Sequence, residues 1–299
     1  MAFFSFDNQI SRFKNLYNNA SPFRHLVIDD FLEKDFIEEV LMDFPGPDSM
    51  DVHGTDSKRV LGWQLSPSST NYSLKPSIIK LFDYLKSTQL RAALMEITGI
   101  QSQIVSDPDY YGSGLLLAPR GGVHKVHADR TYSPNPNFFP RLILLLYFNK
   151  NWQPNYGGGL QLWDRNIKKC ITIAPNFNRC VIFEVSSIAY HSIEDVNCPE
   201  NFYRRALNYY YLSNEPPLNS YIHDTIFFPR PNERLDYWKA CATTNFPKEL
   251  IGTIASRSPI TRKLHSTTRS LIKKSVLKSN PTLQSDDELM RWKVFNDQI

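Results

Sequence analysis

His127-Ala128-Asp129 is the stretch of this chain whose residue types and spacing could do chemistry. On an extended strand, residues i and i+2 share a face, so the imidazole and the carboxylate could converge on one point. That pair suits a borderline-hard divalent metal, and one more donor would still leave coordination positions open. His191, in AYHSIEDV, can supply the third donor. Arg204 and Arg205 open a later apolar run. A guanidinium can grip a carboxylate through two parallel hydrogen bonds. Tyr147 could add a hydroxyl donor to the same carboxylate. The bland alternative is that HxD arises by chance and each histidine is a satisfied surface or core residue.

Such donors need rigid elements to hold them, and the surrounding pattern is rich in short strands. From about residue 104, β-type runs follow one another at 115–118, 142–149, 160–163, 171–174, 180–185 and 206–212. Pro119-Arg120-Gly121-Gly122 and Gly157-Gly158-Gly159 divide them. Seven of the 12 glycines fall between Gly112 and Gly159, which marks frequent turns. Many short strands with such punctuation predict an antiparallel sandwich or jelly roll. The first hundred residues differ. Residues 23–31 read as a short strand and 32–44 as a helix ended by Pro45-Gly46-Pro47. Residues 46–76 are rich in Ser, Asp, Pro and Gly and are expected to form one long loop. Residues 76–99 read as one or two helices. Helices first and strands afterwards predict an α+β class with helices packed on a β core. Four regions are expected: a helical support region at 1–103, a jelly-roll core at 104–215, an irregular extension at 216–256 and a basic helical tail at 257–299.

Composition limits the classes of function. The chain has 299 residues, 41% of them hydrophobic and 21% charged, which excludes disorder as the main state. The longest apolar run, 142–148, is far short of the roughly 20 residues a membrane-crossing helix needs. The start carries no basic segment followed by an apolar one, so no signal peptide is expected. Cys170, Cys180, Cys198 and Cys241 form no CxxC pair, and free thiols in a reducing, cytoplasmic setting are expected. The net charge is +4, yet residues 257–278 hold seven basic residues and no acid, so the remainder is mildly acidic. Ile260, Leu264, Leu271, Ile272 and Val276 give that segment a helical apolar stripe, which could touch an anionic membrane surface. A solvated helix on the body is the simpler alternative. No nucleic-acid motif is present, and no such partner is expected.

Six segments, LLLAPRGGVHKVHAD, LLLYFNKNW, GGGLQLWD, IAPNFNRCVIFE, YHSIEDV and RRALNYYYL, stand in one order across residues 112–212. In that order they resemble the 2-oxoglutarate/Fe(II)-dependent dioxygenase superfamily, in its prolyl 4-hydroxylase-like branch. FRHLVIDDFLEKDFIEEVLMDF, at 23–44, resembles the lead-in of bacterial members. The resemblance implies a double-stranded β-helix, with Fe(II), 2-oxoglutarate and O2 as cofactor and cosubstrates and ascorbate as a supporting reductant. It implies that His127, Asp129 and His191 are the iron ligands, and that Arg204 and Tyr147 bind the C5 carboxylate of 2-oxoglutarate. Arg205 is the rival to Arg204, since alternation allows only one of them to face the pocket. Two departures stand out. The interval from His191 to Arg204 is longer than the family usually shows, and Asn197-Cys198-Pro199-Glu200-Asn201 looks like an inserted turn. Ala118 replaces a polar or aromatic residue that many members place near the cosubstrate.

The implied reaction hydroxylates an unactivated C–H bond while 2-oxoglutarate is decarboxylated to succinate and CO2. Branch resemblance points first to a peptidyl-proline or another protein or amino-acid side chain. A saccharide or lipid-linked substrate is the alternative, and a catalytically silent jelly-roll binding module is the reading from a different class. His124, three before His127, is expected to face away from the metal. Arg130, Thr131 and Tyr132 are expected near the mouth, where they could touch substrate. Trp152, Trp163 and Asp164 are expected to be rim and core residues.

Overall fold

The structure, a computed structural model, describes residues 9–233 apart from 54–59, 70–72, 136, 218–219, 221 and 232. The basic tail at 257–299, its segment 257–278, Cys241 and the part of the extension at 234–256 lie outside the described residues.

Among the described residues four α-helices are present: α1 (Ile10–Asn19), α2 (Lys34–Met42), α3 (Pro76–Lys86) and α4 (Thr88–Thr98). The strands are β1 (His25–Ile28), β2 (Asp51–His53), β3 (Val60–Leu65), β4 (Val105–Ser106), β5 (Gly114–Ala118), β6 (Val123–Ala128), β7 (Phe139–Tyr147), β8 (Leu160–Trp163), β9 (Cys170–Ile173), β10 (Cys180–Glu184), β11 (His191–Ile193), β12 (Arg204–Ser213) and β13 (Ile226–Phe227). One antiparallel sheet runs β1-β10-β7-β12-β5 and a second runs β6-β11-β8-β9. β3 joins them, pairing with β5 at one end and with β6 at the other. The result is the double-stranded β-helix of an α+β protein, with its helices on the outer face of the first sheet.

The residues explain the layering. The helices present apolar stripes: Phe36, Ile37 and Val40 on α2, Ile78, Leu81 and Leu85 on α3, and Leu90, Leu94 and Ile97 on α4. These pack against Leu142, Leu144 and Leu146 of β7. Burying each such side chain contributes about 1.5–3 kcal/mol. The odd-numbered residues of β7, Ile143, Leu145 and Tyr147, face the space between the sheets. Ser87 separates α3 from α4, and its hydroxyl accepts from the Leu90 N–H at the start of α4. Gly99 ends α4 at φ +75°, a left-handed conformation that a side chain would disfavour.

The expected loop at 46–76 is not one loop. It contains β2 and β3, and β3 is the strap between the two sheets. Pairing with β5 and β6 satisfies its backbone and overrides a composition that reads as irregular. Sequence periodicity also left 123–128 unassigned as a full strand. It forms β6, which pairs with β11, β3 and β13.

Candidate active site

β6 and β11 bring the candidate ligands together. His191 stands opposite His127, but Ile193 stands opposite His124. Two steps along β11 therefore match three along β6, so β6 bulges between His124 and His127. The bulge cancels the ordinary alternation. His124 turns to the same side as His127, and the two rings stack 4.0 Å apart at 7°. This corrects the expectation that His124 faces away: the i+3 rule fails where an extra residue enters the strand.

Among the described residues, His127, Asp129 and His191 offer donor atoms that all lie within 4.8 Å of one another. His127 Nε2 is 3.4 Å from Asp129 Oδ1, and His191 Nε2 is 3.7 Å from Asp129 Oδ2. Each imidazole is oriented from behind. His127 Nδ1 lies 2.7 Å from the Lys125 carbonyl oxygen, and His191 Nδ1 lies 2.9 Å from that of Ala189. A carbonyl oxygen only accepts, so Nδ1 carries the proton and Nε2 presents a lone pair to the shared point. Asp129 Oδ2 is buried and has no hydrogen-bond partner. A metal ion at that point would satisfy it, so the donor set fits one.

The electrostatics agree with that use. Burial raises the Asp129 pKa, but His191, His127 and the neighbouring Tyr210 hydroxyl together hold it well below the usual carboxylate range. Burial, reinforced by His127, pushes His191 down to about 4 against the pull of Asp129. At neutral pH these two groups are a carboxylate and a neutral imidazole. Aromatic rings enclose the site. Phe183 meets His191 edge-on at 5.0 Å, and Phe227 lies 5.5 Å from His127. Phe227 arrives on β13, which pairs with His127 and Ala128.

A second polar cluster sits where β12 starts. Arg204 is 3% exposed and its guanidinium lies 5.0 Å over the Tyr147 ring. Its Nε donates to the Gly158 carbonyl. Gly158 adopts φ +73°, and a Cβ there would stand 2.9 Å from Arg204 Cδ, so the arginine requires glycine beside it. The Tyr147 hydroxyl is buried without a hydrogen-bond partner. Burial raises its pKa, although Arg204 pulls it down, so it stays protonated and can donate. An orphaned donor beside a buried cation fits an incoming carboxylate such as that of 2-oxoglutarate. Arg205 is half-buried on the other face, its N–H donating to Asn149 Oδ1. Ala118 pairs with Arg204 and packs with Val196 and Cys198, so no polar contact is made there. The turn suspected at 197–201 is present, with the Phe202 N–H donating to the Pro199 carbonyl.

Trp163 is a buried residue whose Nε1 donates to the Ser192 hydroxyl, and Trp152 donates to the Gly157 carbonyl. Both hold the walls. Arg130 is half-buried, its guanidinium 3.7 Å over the Tyr111 ring. Tyr210, Phe183, Phe227 and Gly158 were missed as site residues in sequence. Only the position of Tyr210 in an alternating strand carried a signal.

A curled double sheet with a His-Asp-His set inside defines a class. Residues 114–212 match the model of the 2OG-Fe(II) oxygenase superfamily. Among particular relatives, the mouse prolyl 3-hydroxylase OGFOD1 is 25% identical over 239 residues. That match covers 74% of this chain and 39% of the mouse protein, so the chain spans about two-fifths of the relative's length. A Pseudomonas putida prolyl-4-hydroxylase structure is similar over 67% of this chain and 97% of its own, at 15% identity and a TM-score of 0.49. A Phytophthora capsici prolyl 4-hydroxylase is similar over 96% of both chains, at 16% identity and a TM-score of 0.49.

Proposed function

We propose that this protein is an Fe(II)- and 2-oxoglutarate-dependent hydroxylase of a peptidyl-proline or another protein or amino-acid side chain. His127, Asp129 and His191 hold the metal, and Arg204 with Tyr147 holds the far carboxylate of 2-oxoglutarate. The observation that carries this reading is the pairing of two unsatisfied groups inside one barrel. Asp129 Oδ2 lacks a partner among the three converging donors, and the Tyr147 hydroxyl lacks one beside Arg204. A metal ion answers the first and a dicarboxylate the second. The proline preference rests on similarity to the mouse prolyl 3-hydroxylase over 74% of this chain.

When bound, the iron with 2-oxoglutarate supplies the oxidising power for C–H hydroxylation. The chain's own residues orient and enclose. Lys125 and Ala189 carbonyls fix both imidazoles in the Nε2-donating form. Arg204 sets how deep the dicarboxylate enters. Phe183 and Phe227 exclude water from the metal side. The test is succinate formation from 2-oxoglutarate by the purified protein with Fe(II), ascorbate and O2, with His127→Ala as control. Succinate from the wild type alone supports the reading. Failure to bind either iron or 2-oxoglutarate would sink it.

A further inference from the structure

We propose that Arg130 is a specificity-determining residue of this site: its guanidinium receives a carboxylate of the substrate at the mouth of the barrel. The proposal rests on the hydroxylase reading and adds the chemistry of the substrate to it. Arg130 directly follows Asp129 in sequence. Its guanidinium lies 5.9 Å from the Tyr210 ring, and the Tyr210 hydroxyl neighbours the Asp129 carboxylate. One tyrosine therefore separates this cation from the metal-facing carboxylate.

The cation is held in place. It lies over the Tyr111 ring, and its Nη2 donates to the Tyr111 carbonyl at 2.6 Å. Gly112 makes room for it, since a Cβ at that position would stand 2.8 Å from Nη2. A pre-positioned guanidinium loses little freedom when it binds. Yet its hydrogen bonding is incomplete. Its Nε is buried and has no hydrogen-bond partner. No ion pair joins Arg130 to a carboxylate among the described residues, whereas Arg179 and Arg230 each have one. An unpaired buried N–H on a cation is costly, and a planar carboxylate is the ligand that fits a guanidinium edge.

The rest of the cleft says what the carboxylate is attached to. The strand register sets Tyr210, Ile143 and Phe183 in one row across the sheet. Phe23 packs on Phe183 at 5.7 Å. All four lie in or against the core between the sheets. An apolar floor ends at a cation, so the substrate combines an apolar body with a carboxylate. A free amino acid and an acidic peptide supply the same group, and the test separates them.

Wild-type protein is given two series with Fe(II), 2-oxoglutarate and O2, and products carrying one added oxygen are read by mass spectrometry. One series is the common free amino acids and their carboxamides. The other is blocked proline-containing peptides with Asp or Glu beside the proline, paired with Asn or Gln versions. The carboxylate form is expected to be favoured about tenfold or more in one series. That series names the source. Arg130→Gln is expected to remove the preference, and Arg130→Lys to keep part of it. A residue that merely fastens the Tyr111 loop would lower both forms together. Equal use of acid and amide by the wild type overturns the proposal without any variant. So does a preference that survives Arg130→Gln. No oxygenated product in either series, with succinate still formed, overturns the carboxylate proposal alone. Loss of succinate as well overturns the hydroxylase reading beneath it.

Discussion

The two faces of the β7 sheet are built for different ends. Leu142, Leu144 and Leu146 point to the helices, where they meet only other apolar side chains. Ile143, Leu145 and Tyr147 point into the barrel, where the apolar wall is interrupted by Arg204, Asp129 and the histidines. On the outer face the Tyr211 hydroxyl donates to the Leu85 carbonyl, while the buried Tyr209 hydroxyl makes no hydrogen bond. The inner face is incomplete, with Tyr147 and Asp129 each keeping a buried oxygen without a hydrogen bond. Buried polar groups without partners cost free energy, and those of the inner face stand beside a buried guanidinium and beside two imidazoles, where a ligand can complete them. The outer face should therefore respond to substitution in stability and the inner face in chemistry.

The sharpest break of that contrast is His127→Ala. It is expected to abolish succinate formation while leaving the melting temperature within a few degrees of wild type; residual turnover above a few per cent would mean the three donors are not the metal site. Arg204→Ala comes next. Losing a buried cation that pairs with an anion costs about 2–5 kcal/mol, so the 2-oxoglutarate requirement should rise by about thirtyfold or more, and the iron requirement far less. Arg205→Ala serves as the register control and should change neither; if it alone raises the 2-oxoglutarate requirement, the pocket-facing arginine is misassigned. On the outer face, Leu144→Ala should lower stability by about 2–5 kcal/mol, read by denaturant unfolding, with the turnover of the folded protein unchanged. A lost turnover in that variant would show that the two faces are mechanically coupled.

Much of this contrast could be read from the residues. The six ordered segments placed the strands within a few residues, and HxD with His191 and the double arginine indicated where chemistry could occur. What the chain did not reveal depended on pairing. The apolar run at 142–148 has no alternation, because both of its faces are buried, so the two cores could not be told apart. The β6 bulge depends on which residue of β11 stands opposite, and no local pattern encodes that, so His124 was placed on the wrong side. β3, VLGWQL, is an apolar run inside a Ser- and Pro-rich stretch, and it becomes a strand by pairing with β5 and β6.

The smallest predicted effect tests the contrast most directly. Tyr147→Phe removes only the hydroxyl that has no hydrogen bond in the ligand-free protein. Taking away an unsatisfied buried polar atom is neutral or stabilising. Without 2-oxoglutarate, the variant should melt at or slightly above the wild-type temperature. With 2-oxoglutarate and Fe(II) under anaerobic conditions, the hydroxyl gains a carboxylate to donate to, and the wild type should bind about tenfold more tightly. That difference is about 1.4 kcal/mol of ligand-linked stability at saturating concentration. The order of the two melting temperatures should then reverse on adding the cosubstrate. A variant that is less stable in both conditions would show that the Tyr147 hydroxyl serves the fold rather than the cosubstrate.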